Sequence, residues 1–257
     1  MIKRFLTILM LAGIVGAAPD TGITMREGGI VRADVCVLAM DFETGIADDL
    51  SGEGNDGAVE GATFVAASGL SSGAVRFDGV GDYVDVGSDA SLDNLGQLTY
   101  SAWIYPETID AAARYIVTKF PSDATGYKIL WVQDNSGNND QLLFSIHGSR
   151  PLSKASANNI LQINQWQHIL VTWDGNSYAS GIHLYINGIE PDYAFSQNGI
   201  NLDLDDSEGS LSIGNRITDS ARPFNGAIDE VLIYNKSLTA SEITELYKAG
   251  MIRHPNP

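Results

Sequence analysis

Residues 98–106 read Leu-Thr-Tyr-Ser-Ala-Trp-Ile-Tyr-Pro, a run of β-branched and aromatic residues that is typical of a strand. Successive side chains of a strand point to opposite faces, so Tyr100 and Ile104 share one face. Trp103 and Tyr105 share the other face. The run therefore predicts an antiparallel strand with one face in a hydrophobic core, and the pattern alone leaves open which face that is.

Runs of the same kind, separated by Gly, Asn and Asp, follow one another along most of the chain. They cover residues 35–42, 74–77, 83–86, 114–119, 127–132, 141–146, 166–173, 181–186, 210–213 and 227–234. Roughly a dozen strands at this spacing are typical of a sandwich or jelly roll. The chain has 257 residues, 44% of them hydrophobic, which is enough for the core of one such domain. The sequence therefore predicts an all-β, jelly-roll β-sandwich.

One helix is predicted, near the C-terminal end of the chain. Thr239-Ala-Ser-Glu242 fits a capping box, in which the Thr and Glu side chains each accept a hydrogen bond from the other residue's backbone N–H. Leu238 and Ile243 fit a hydrophobic staple, and Gly250 stands where a helix C-cap is expected. One short C-terminal helix completes the predicted fold.

The loop after the first predicted strand reads Asp48-Asp-Leu-Ser-Gly-Glu-Gly-Asn-Asp-Gly-Ala-Val-Glu60 and fits two familiar motifs. Gly52, Gly54 and Gly57 have the spacing of a dinucleotide-binding turn, but no strand-then-helix pattern surrounds them. From Asp49 onward the loop has the oxygen spacing of an EF-hand, but the pattern of the two flanking helices is absent. We interpret this segment as a Gly- and Asx-rich loop with many oxygen atoms.

The termini and the net charge indicate where the protein acts. Residues 1–18 have a basic start, an apolar run and then small residues, and we interpret them as a secretory signal peptide. A flexible lead is predicted for residues 19–33, the folded domain for 34–250 and a tail for 251–257. No second apolar run is long enough for a membrane span in the mature chain. A formal charge of −17 disfavours nucleic acid as a partner. From the signal-peptide pattern we expect a secreted or cell-surface protein.

Several short motifs follow one another along the chain. They are Ala-Met-Asp-Phe-Glu at 39–43, the loop at 49–57, Val-Arg-Phe-Asp-Gly at 75–79, the Trp-containing run at 98–106, Trp-Gln-His at 166–168, Leu-Tyr-Ile-Asn-Gly at 184–188 and Phe-Asn-Gly-Ala-Ile-Asp-Glu at 224–230. In this order they resemble the laminin G-like (LamG-like jellyroll) group of the concanavalin A-like lectin/glucanase superfamily. The resemblance covers about residues 35–250 and implies two curved antiparallel sheets.

The resemblance also implies a structural calcium ion as cofactor. Related domains often hold calcium between an acidic residue of the first strand, one of the last strand and carbonyl oxygens of an early Gly-rich loop. Matched by position, the implied ligands are Asp41, Asp49 and Asp229, and such oxygen atoms suit the loose coordination of calcium. In the last strand, alternation places Asp229 with Val231 on one face and Glu230 on the other. The alternative is that these side chains only bond nearby backbone or face solvent.

A carbohydrate ligand is bound best by flat apolar faces that lie next to hydrogen-bonding groups. Aromatic residues of the predicted strands supply such faces, and we select Trp103, Tyr105 and Trp131 as candidate ligand contacts, with His147 as a polar neighbour. The alternative is that these aromatic side chains belong to the core. Variable recognition is also expected in the longer loops at 121–126, 134–140 and 198–208.

An enzyme is not predicted. Hydrolases that share the implied fold carry E-x-D-x-x-E on one strand, because glycoside cleavage needs two carboxyl groups about 5 to 10 Å apart. The nearest match begins at Glu190 and Asp192 but has Phe195 in place of the third acidic residue. We expect a non-catalytic module that binds carbohydrate or a glycosylated extracellular partner. A structural or adhesive surface protein without a small ligand is the second possibility, and a glycan hydrolase is the third.

Overall fold

Two large antiparallel sheets enclose one hydrophobic core in the computed structural model, which describes residues 23–26, 29–32, 34–67, 72–121, 126–134, 140–218 and 221–254. The described strands are β1 Ile23–Arg26, β2 Gly29–Arg32, β3 Cys36–Met40, β4 Ala58–Glu60, β5 Thr63–Ala67, β6 Ser72–Asp78, β7 Tyr83–Gly87, β8 Leu98–Pro106, β9 Arg114–Lys119, β10 Lys128–Asp134, β11 Asp140–Ile146, β12 Gly148–Arg150, β13 Leu152–Ser156, β14 Gln167–Trp173, β15 Ile182–Ile186, β16 Tyr193–Gln197, β17 Ile200–Leu202, β18 Leu211–Ile213 and β19 Asn225–Tyr234. The helix α1 spans Ala240–Gly250.

One sheet has eight strands in the order β16-β13-β11-β10-β9-β18-β7-β4. The other has seven, with β15-β14-β8-β19-β6-β5 in sequence and β3 paired with the last part of β19. Apolar side chains from both sheets interdigitate, as in the edge-to-face pair of Tyr100 on β8 and Phe144 on β11, whose ring centroids are 6.1 Å apart. The predicted all-β jelly-roll sandwich is therefore confirmed.

Strand β8 resolves the question of which face is buried in the sandwich. Tyr100 and Ile104 belong to the core between the sheets. Trp103 and Tyr105 point to the outer side of the seven-stranded sheet, where they pack with Trp166 and Tyr247 in a separate small cluster. Aromatic side chains from this sheet and from the C-terminal segment therefore cover this part of its outer face.

Helix α1 lies over this part of the sheet, and its start follows the prediction. Thr239 and Glu242 form the capping box, and Leu238 and Ile243 are buried in one cluster. The prediction of Gly250 as the C-cap is wrong, because the helix runs through Gly250 and Met251 follows in a right-handed conformation. Glycine is needed there for close packing, since a Cβ atom would lie 2.0 Å from Nε1 of Trp103.

Strand β19 departs from the predicted alternation. Its register with β8 shifts between Asp229 and Leu232, and Glu230 has a φ of +46°. The extra residue of this bulge returns Val231 to the core, so Asp229 and Val231 do not share a face as predicted. The bulge lies where the neighbour of β19 changes from β6 to β3.

The N-terminal part of the chain differs from the predicted flexible lead. Strands β1 and β2 pair as an antiparallel hairpin within residues 19–33. The predicted signal peptide at 1–18 lies outside the described residues. Within the described part of the chain, no helix is both long and apolar enough to cross a membrane.

Candidate functional site

The outer face of the eight-stranded sheet carries a row of mostly small polar side chains. Each member of the row stands directly opposite the next member on the neighbouring strand, so the row takes one residue from each strand. The row contains one large apolar member, Ile129. We call this row of side chains the polar row. In order across the sheet, its members are Gln197, Ser153, Ser145, Ile129, Thr118, Ser212, Asp85 and Ala58.

Another row of side chains on the same face is apolar and rich in aromatic residues. It lies two residues along each strand from the polar row, except on β9, where a register shift makes the step three residues. Its centre is Trp131, which is partly exposed and packs edge-on against Tyr115 with 6.3 Å between the ring centroids. In order across the sheet this first aromatic row contains Phe195, Ala155, Leu143, Trp131 and Tyr115.

A second aromatic row flanks the polar row on its other side. It contains Phe120, Tyr127 and His147, each two residues from a member of the polar row. The Phe120 and Tyr127 rings stack with centroids 5.5 Å apart, and Tyr127 contacts the His147 ring at 5.0 Å. Burial raises the pKa of Tyr127, an effect that a hydrogen bond with Ser145 partly offsets.

The three rows together form a trough, with small hydroxyl side chains between two lines of large rings. Trp131 and Tyr127 are four residues apart on one strand, so the aromatic rows are about 13 Å apart. The polar row crosses eight strands, which is roughly 34 Å at about 4.8 Å per strand, and the two aromatic rows flank it together at β9, β10 and β11. Arg216 lies across it, with its guanidinium carbon 4.5 Å from the Phe120 ring centre and 5.9 Å from that of Tyr115.

The trough unites two of the residues that the sequence selected, Trp131 and His147, in different aromatic rows. Tyr115, Phe120 and Tyr127 were missed. Phe120 and Tyr127 follow the alternation of their strands, two residues from Thr118 and Ile129. Tyr115 does not follow it, because the register of β9 with β10 shifts between Leu130 and Trp131. The sequence did not indicate which strands are neighbours in the sheet.

The other two selected aromatic residues lie on the opposite sheet. Trp103 is only 2% exposed, with Tyr247 stacked at 5.9 Å and His254 at 4.7 Å from its ring. This packing corrects the choice of Trp103 as a ligand contact, because stacking on a sugar needs one accessible ring face and the buried Trp103 ring offers none. Tyr105 is partly exposed and packs against Trp166 at 5.7 Å.

The predicted calcium ligands are not drawn into one cage. Both oxygens of Asp49 accept hydrogen bonds, from the backbone N–H groups of Ala39, Ser51, Gly54 and Asn55 and from the Ser51 hydroxyl. This carboxylate therefore orders the loop instead of offering a free oxygen. Among the described residues, no group of three or more His, Cys, Asp or Glu side chains is arranged to hold a metal.

Asp229 lies in a buried acidic cluster beneath the end of α1. Its Oδ2 is 3.0 Å from Nε2 of His254, and both side chains are fully buried. Arg253 bridges Glu43 at 3.1 Å and Glu230 at 3.3 Å. Burial raises the pKa of Asp229 well above its usual range and, with the nearby Asp229 charge, raises that of Glu230 to about 7.

Asp41 lies at the mouth of this region, in an open cleft. The cleft has a volume of about 390 Å³, and Glu43, Asp48 and Arg253 also line it. One Asp41 oxygen accepts a hydrogen bond from the Glu43 backbone at 3.3 Å. The negative charges of Glu43 and Asp41 add, after burial, to the raised pKa of Asp229. Calcium at these two residues stays a prediction.

The residues of the nearest hydrolase-like motif serve a hairpin contact. Glu190 accepts a short hydrogen bond from the Tyr193 hydroxyl and lies 2.7 Å from Nδ1 of His183. The Tyr193 hydroxyl also accepts a hydrogen bond from the Leu184 backbone at 3.1 Å. Asp192 is exposed. The Glu190 carboxylate thus ties two strands together.

Comparison with known proteins identifies related sequences. A sequence model described as the concanavalin A-like lectin/glucanases superfamily matches residues 78–244, more than half of the chain. Adhesion G-protein coupled receptor D1 from Homo sapiens is 31% identical over 90 residues, which cover 35% of this chain and 10% of that protein. The chain thus spans about a tenth of the length of this relative.

Comparison with solved structures yields several sandwich domains at low identity. Domain 4 of an extracellular GH43 arabinanase from Geobacillus stearothermophilus, solved with arabinotriose, has a TM-score of 0.59 and 20% identity, covering 83% of this chain and 98% of that one. The binding domain of botulinum neurotoxin serotype G has a TM-score of 0.61 and 16% identity, covering 83% of this chain and 50% of that one. At these identities the likeness shows the fold alone.

Proposed function

Because the chain belongs to the concanavalin A-like lectin/glucanase superfamily, we propose that it is a non-catalytic recognition module that binds carbohydrate in the trough of the eight-stranded sheet. The partner is a polysaccharide or a glycosylated extracellular protein, and the protein acts outside the cell or at its surface. Domains of similar fold include one that was solved in complex with arabinotriose and the receptor-binding domain of the botulinum neurotoxin C/D mosaic serotype. The fold itself hosts many functions, so the proposal depends on the trough.

One observation carries the proposal, the polar row between two aromatic rows. Sugar rings have apolar faces and hydroxyl edges, so they are bound best where flat rings lie next to hydrogen-bonding groups. The partly exposed Trp131 and the Tyr127 ring supply the flat faces on either side. Hydroxyl groups of Ser145 and Ser153, which bond each other at 2.8 Å, lie between them.

The non-catalytic part of the proposal rests on the acidic residues. A glycoside hydrolase needs a pair of carboxyl groups facing each other across the scissile bond. Along the polar row, Asp85 is the acidic member, and its Oδ1 accepts a hydrogen bond from the Gly87 backbone. Asp229 and Glu230 form a close acidic pair, but they lie on the other sheet and are buried.

Calcium at Asp41 and Asp229 is proposed only as a stabilising ion.

The test is affinity gel electrophoresis in gels that contain arabinan, xylan, mixed-linkage β-glucan or galactomannan. We expect at least one polysaccharide to retard the wild-type protein. Trp131→Ala should weaken that retardation about tenfold or more, because a central aromatic anchor dominates such an interface.

The matched control is Tyr178→Ala, which removes an aromatic side chain that is 61% exposed and outside the trough. It should migrate like the wild type in every gel. Equal retardation of the wild type and Trp131→Ala would place binding elsewhere on the protein. No retardation of the wild type in any gel would favour the structural or adhesive alternative.

A further inference from the structure

Trp131, the centre of the first aromatic row, is held through its indole nitrogen by a neighbouring side chain. Its Nε1–H donates a hydrogen bond to Oε1 of Gln133 at 3.2 Å. The two residues lie on the same face of β10, because Val132 between them points into the core. Gln133 Nε2 donates in turn to the Ala111 carbonyl at 2.9 Å. Gln133 therefore links the ring to the segment between β8 and β9.

These two hydrogen bonds fix the orientation of the Gln133 amide. An indole N–H donates and a peptide carbonyl accepts, so the amide oxygen must face Trp131 and the NH₂ group must face Ala111. The opposite orientation would place donor against donor and acceptor against acceptor. The amide therefore has a single arrangement in which both of its partners are satisfied.

The segment that receives this amide is itself anchored. Next to Ala111, the Asp110 carboxylate accepts two hydrogen bonds from the Arg114 guanidinium, one of them from Nε at 3.0 Å. The Asp110 carbonyl accepts from the Asp134 N–H at 2.8 Å. Arg114 also donates to the Pro223 carbonyl at 3.0 Å. The Ala111 carbonyl is thus held in place beside the end of β10.

A partly exposed indole without such a bond has several rotamers open to it. The Trp131 ring can turn about its Cα–Cβ and Cβ–Cγ bonds, but the hydrogen bond survives only where Nε1 stays beside Gln133. The edge-on contact with Tyr115, at 6.3 Å between the ring centroids, restrains the ring further. The ring is therefore ordered before a ligand arrives, and ordering a side chain during binding is one of the costs of association.

Building on the proposed carbohydrate function, we propose that Gln133 is a positioning residue of the trough, which sets the Trp131 ring in the orientation that stacks on a sugar. An indole has one N–H, and Gln133 accepts its hydrogen bond, so Trp131 offers a ligand only its ring face. The matching part of the ligand is the apolar C–H face of a sugar ring, and not its hydroxyl edge. The hydroxyl groups of that sugar are left for the polar row beside Trp131.

The test compares two Gln→Leu substitutions. Gln133→Leu breaks the hydrogen bonds to Trp131 and Ala111. Gln167→Leu, on the other sheet, breaks a similar pair, because Gln167 accepts from the Gln162 N–H at 3.1 Å and donates to the Gln162 carbonyl at 2.7 Å. Both proteins are studied by thermal melting and in gels of arabinan, xylan, mixed-linkage β-glucan and galactomannan.

A third measurement follows the Trp131 indole directly, by NMR of the indole N–H groups in protein without ligand. The chain has four tryptophans, and the Trp131 signal is identified by its absence from Trp131→Phe. In Gln133→Leu this N–H should exchange faster with water, because its acceptor is gone, while the other three indole signals should stay in place.

The two Gln→Leu variants should differ in binding and in stability. Gln133→Leu should bind the polysaccharide that retards the wild type about threefold to tenfold more weakly, as expected when one more side chain must be ordered on binding. Gln167 is 3% exposed, so Gln167→Leu should melt at a lower temperature than Gln133→Leu. It should nevertheless bind like the wild type, because it lies on the other sheet.

Three outcomes would overturn the assignment and leave the proposed function in place. One is a Gln133→Leu variant that is retarded as strongly as the wild type, or more strongly. The second is unchanged exchange of the Trp131 indole N–H in that variant, and the third is an equal loss of binding in Gln167→Leu. A wild type that no polysaccharide retards would instead refute the proposed function, and with it the role of Gln133, whatever the indole signal shows.

Discussion

Asp49→Asn is expected to destabilise the protein strongly, because one carboxylate holds the whole loop after β3. Oδ1 accepts from two backbone N–H groups, and Oδ2 accepts from two more and from the Ser51 hydroxyl. Asparagine has only one acceptor oxygen, so in either orientation its NH₂ group faces at least two donors. One of these donors, the Ala39 N–H, belongs to the buried strand β3.

The size of the effect follows from the number of bonds lost. Losing two or three hydrogen bonds to a charged group costs about 3 kcal/mol of unfolding free energy. For a domain of this size that corresponds to a drop of roughly 10 °C in melting temperature. Asp56→Asn is the matched control, because Asp56 is exposed in the same loop and accepts one hydrogen bond, from the Asp49 N–H at 2.8 Å. It should cost about 1 kcal/mol or less.

Thermal melts of both variants in calcium and in chelator separate hydrogen bonding from metal binding. If Asp49 acts through the loop, its substitution lowers the melting temperature by the same amount in both buffers. The calcium role implied by the family resemblance predicts the opposite, a loss that appears only when calcium is present. That result, or a loss no larger than that of Asp56→Asn, would refute the structural argument.

Three further predictions concern the helix, the packing beneath it and the buried thiol. Burial opposes ionisation of Glu242, but hydrogen bonds from Thr239 lower its pKa to about 2. Glu242→Gln should therefore lower the unfolding free energy by about 1 kcal/mol at pH 7, as measured by denaturant unfolding. The difference between the two proteins should shrink as the pH falls from about 4.5 through 2. Gly250→Ala should destabilise by about 2 kcal/mol in the same assay, because the new methyl group overlaps Trp103, and an unchanged midpoint would contradict that contact. Burial raises the pKa of Cys36 to about 12, so a thiol reagent at pH 8 should label it only after denaturant is added.

Features that depend on local pattern were predictable from the sequence. The Thr239 capping box and the alternation at residues 98–106 are decided by residues close together in the chain, and both agree with the structure. The absence of flanking helices around Gly52 to Gly57 was equally local, and this segment is indeed a loop between β3 and β4.

Features that depend on distant contacts were not predictable. Trp103 is hidden because α1 and His254, about 150 residues later, pack over it. The bulge at Glu230 arises where one neighbouring strand of β19 ends and another begins, which no alternation in the sequence indicates. Trp131 and His147 lie on one face of the eight-stranded sheet because of the strand order, which the sequence did not indicate, and their role as ligand contacts stays a prediction.

The most direct measurement of the central claim is tryptophan fluorescence during titration with arabinan, xylan, mixed-linkage β-glucan and galactomannan in turn. Trp131 is the partly exposed tryptophan, while Trp103, Trp166 and Trp173 are 2%, 7% and 0% exposed. Binding in the trough predicts that at least one polysaccharide changes the emission of the wild type and leaves that of Trp131→Phe unchanged. An emission change that persists in Trp131→Phe, or no change with any of the four, would contradict carbohydrate recognition at this site.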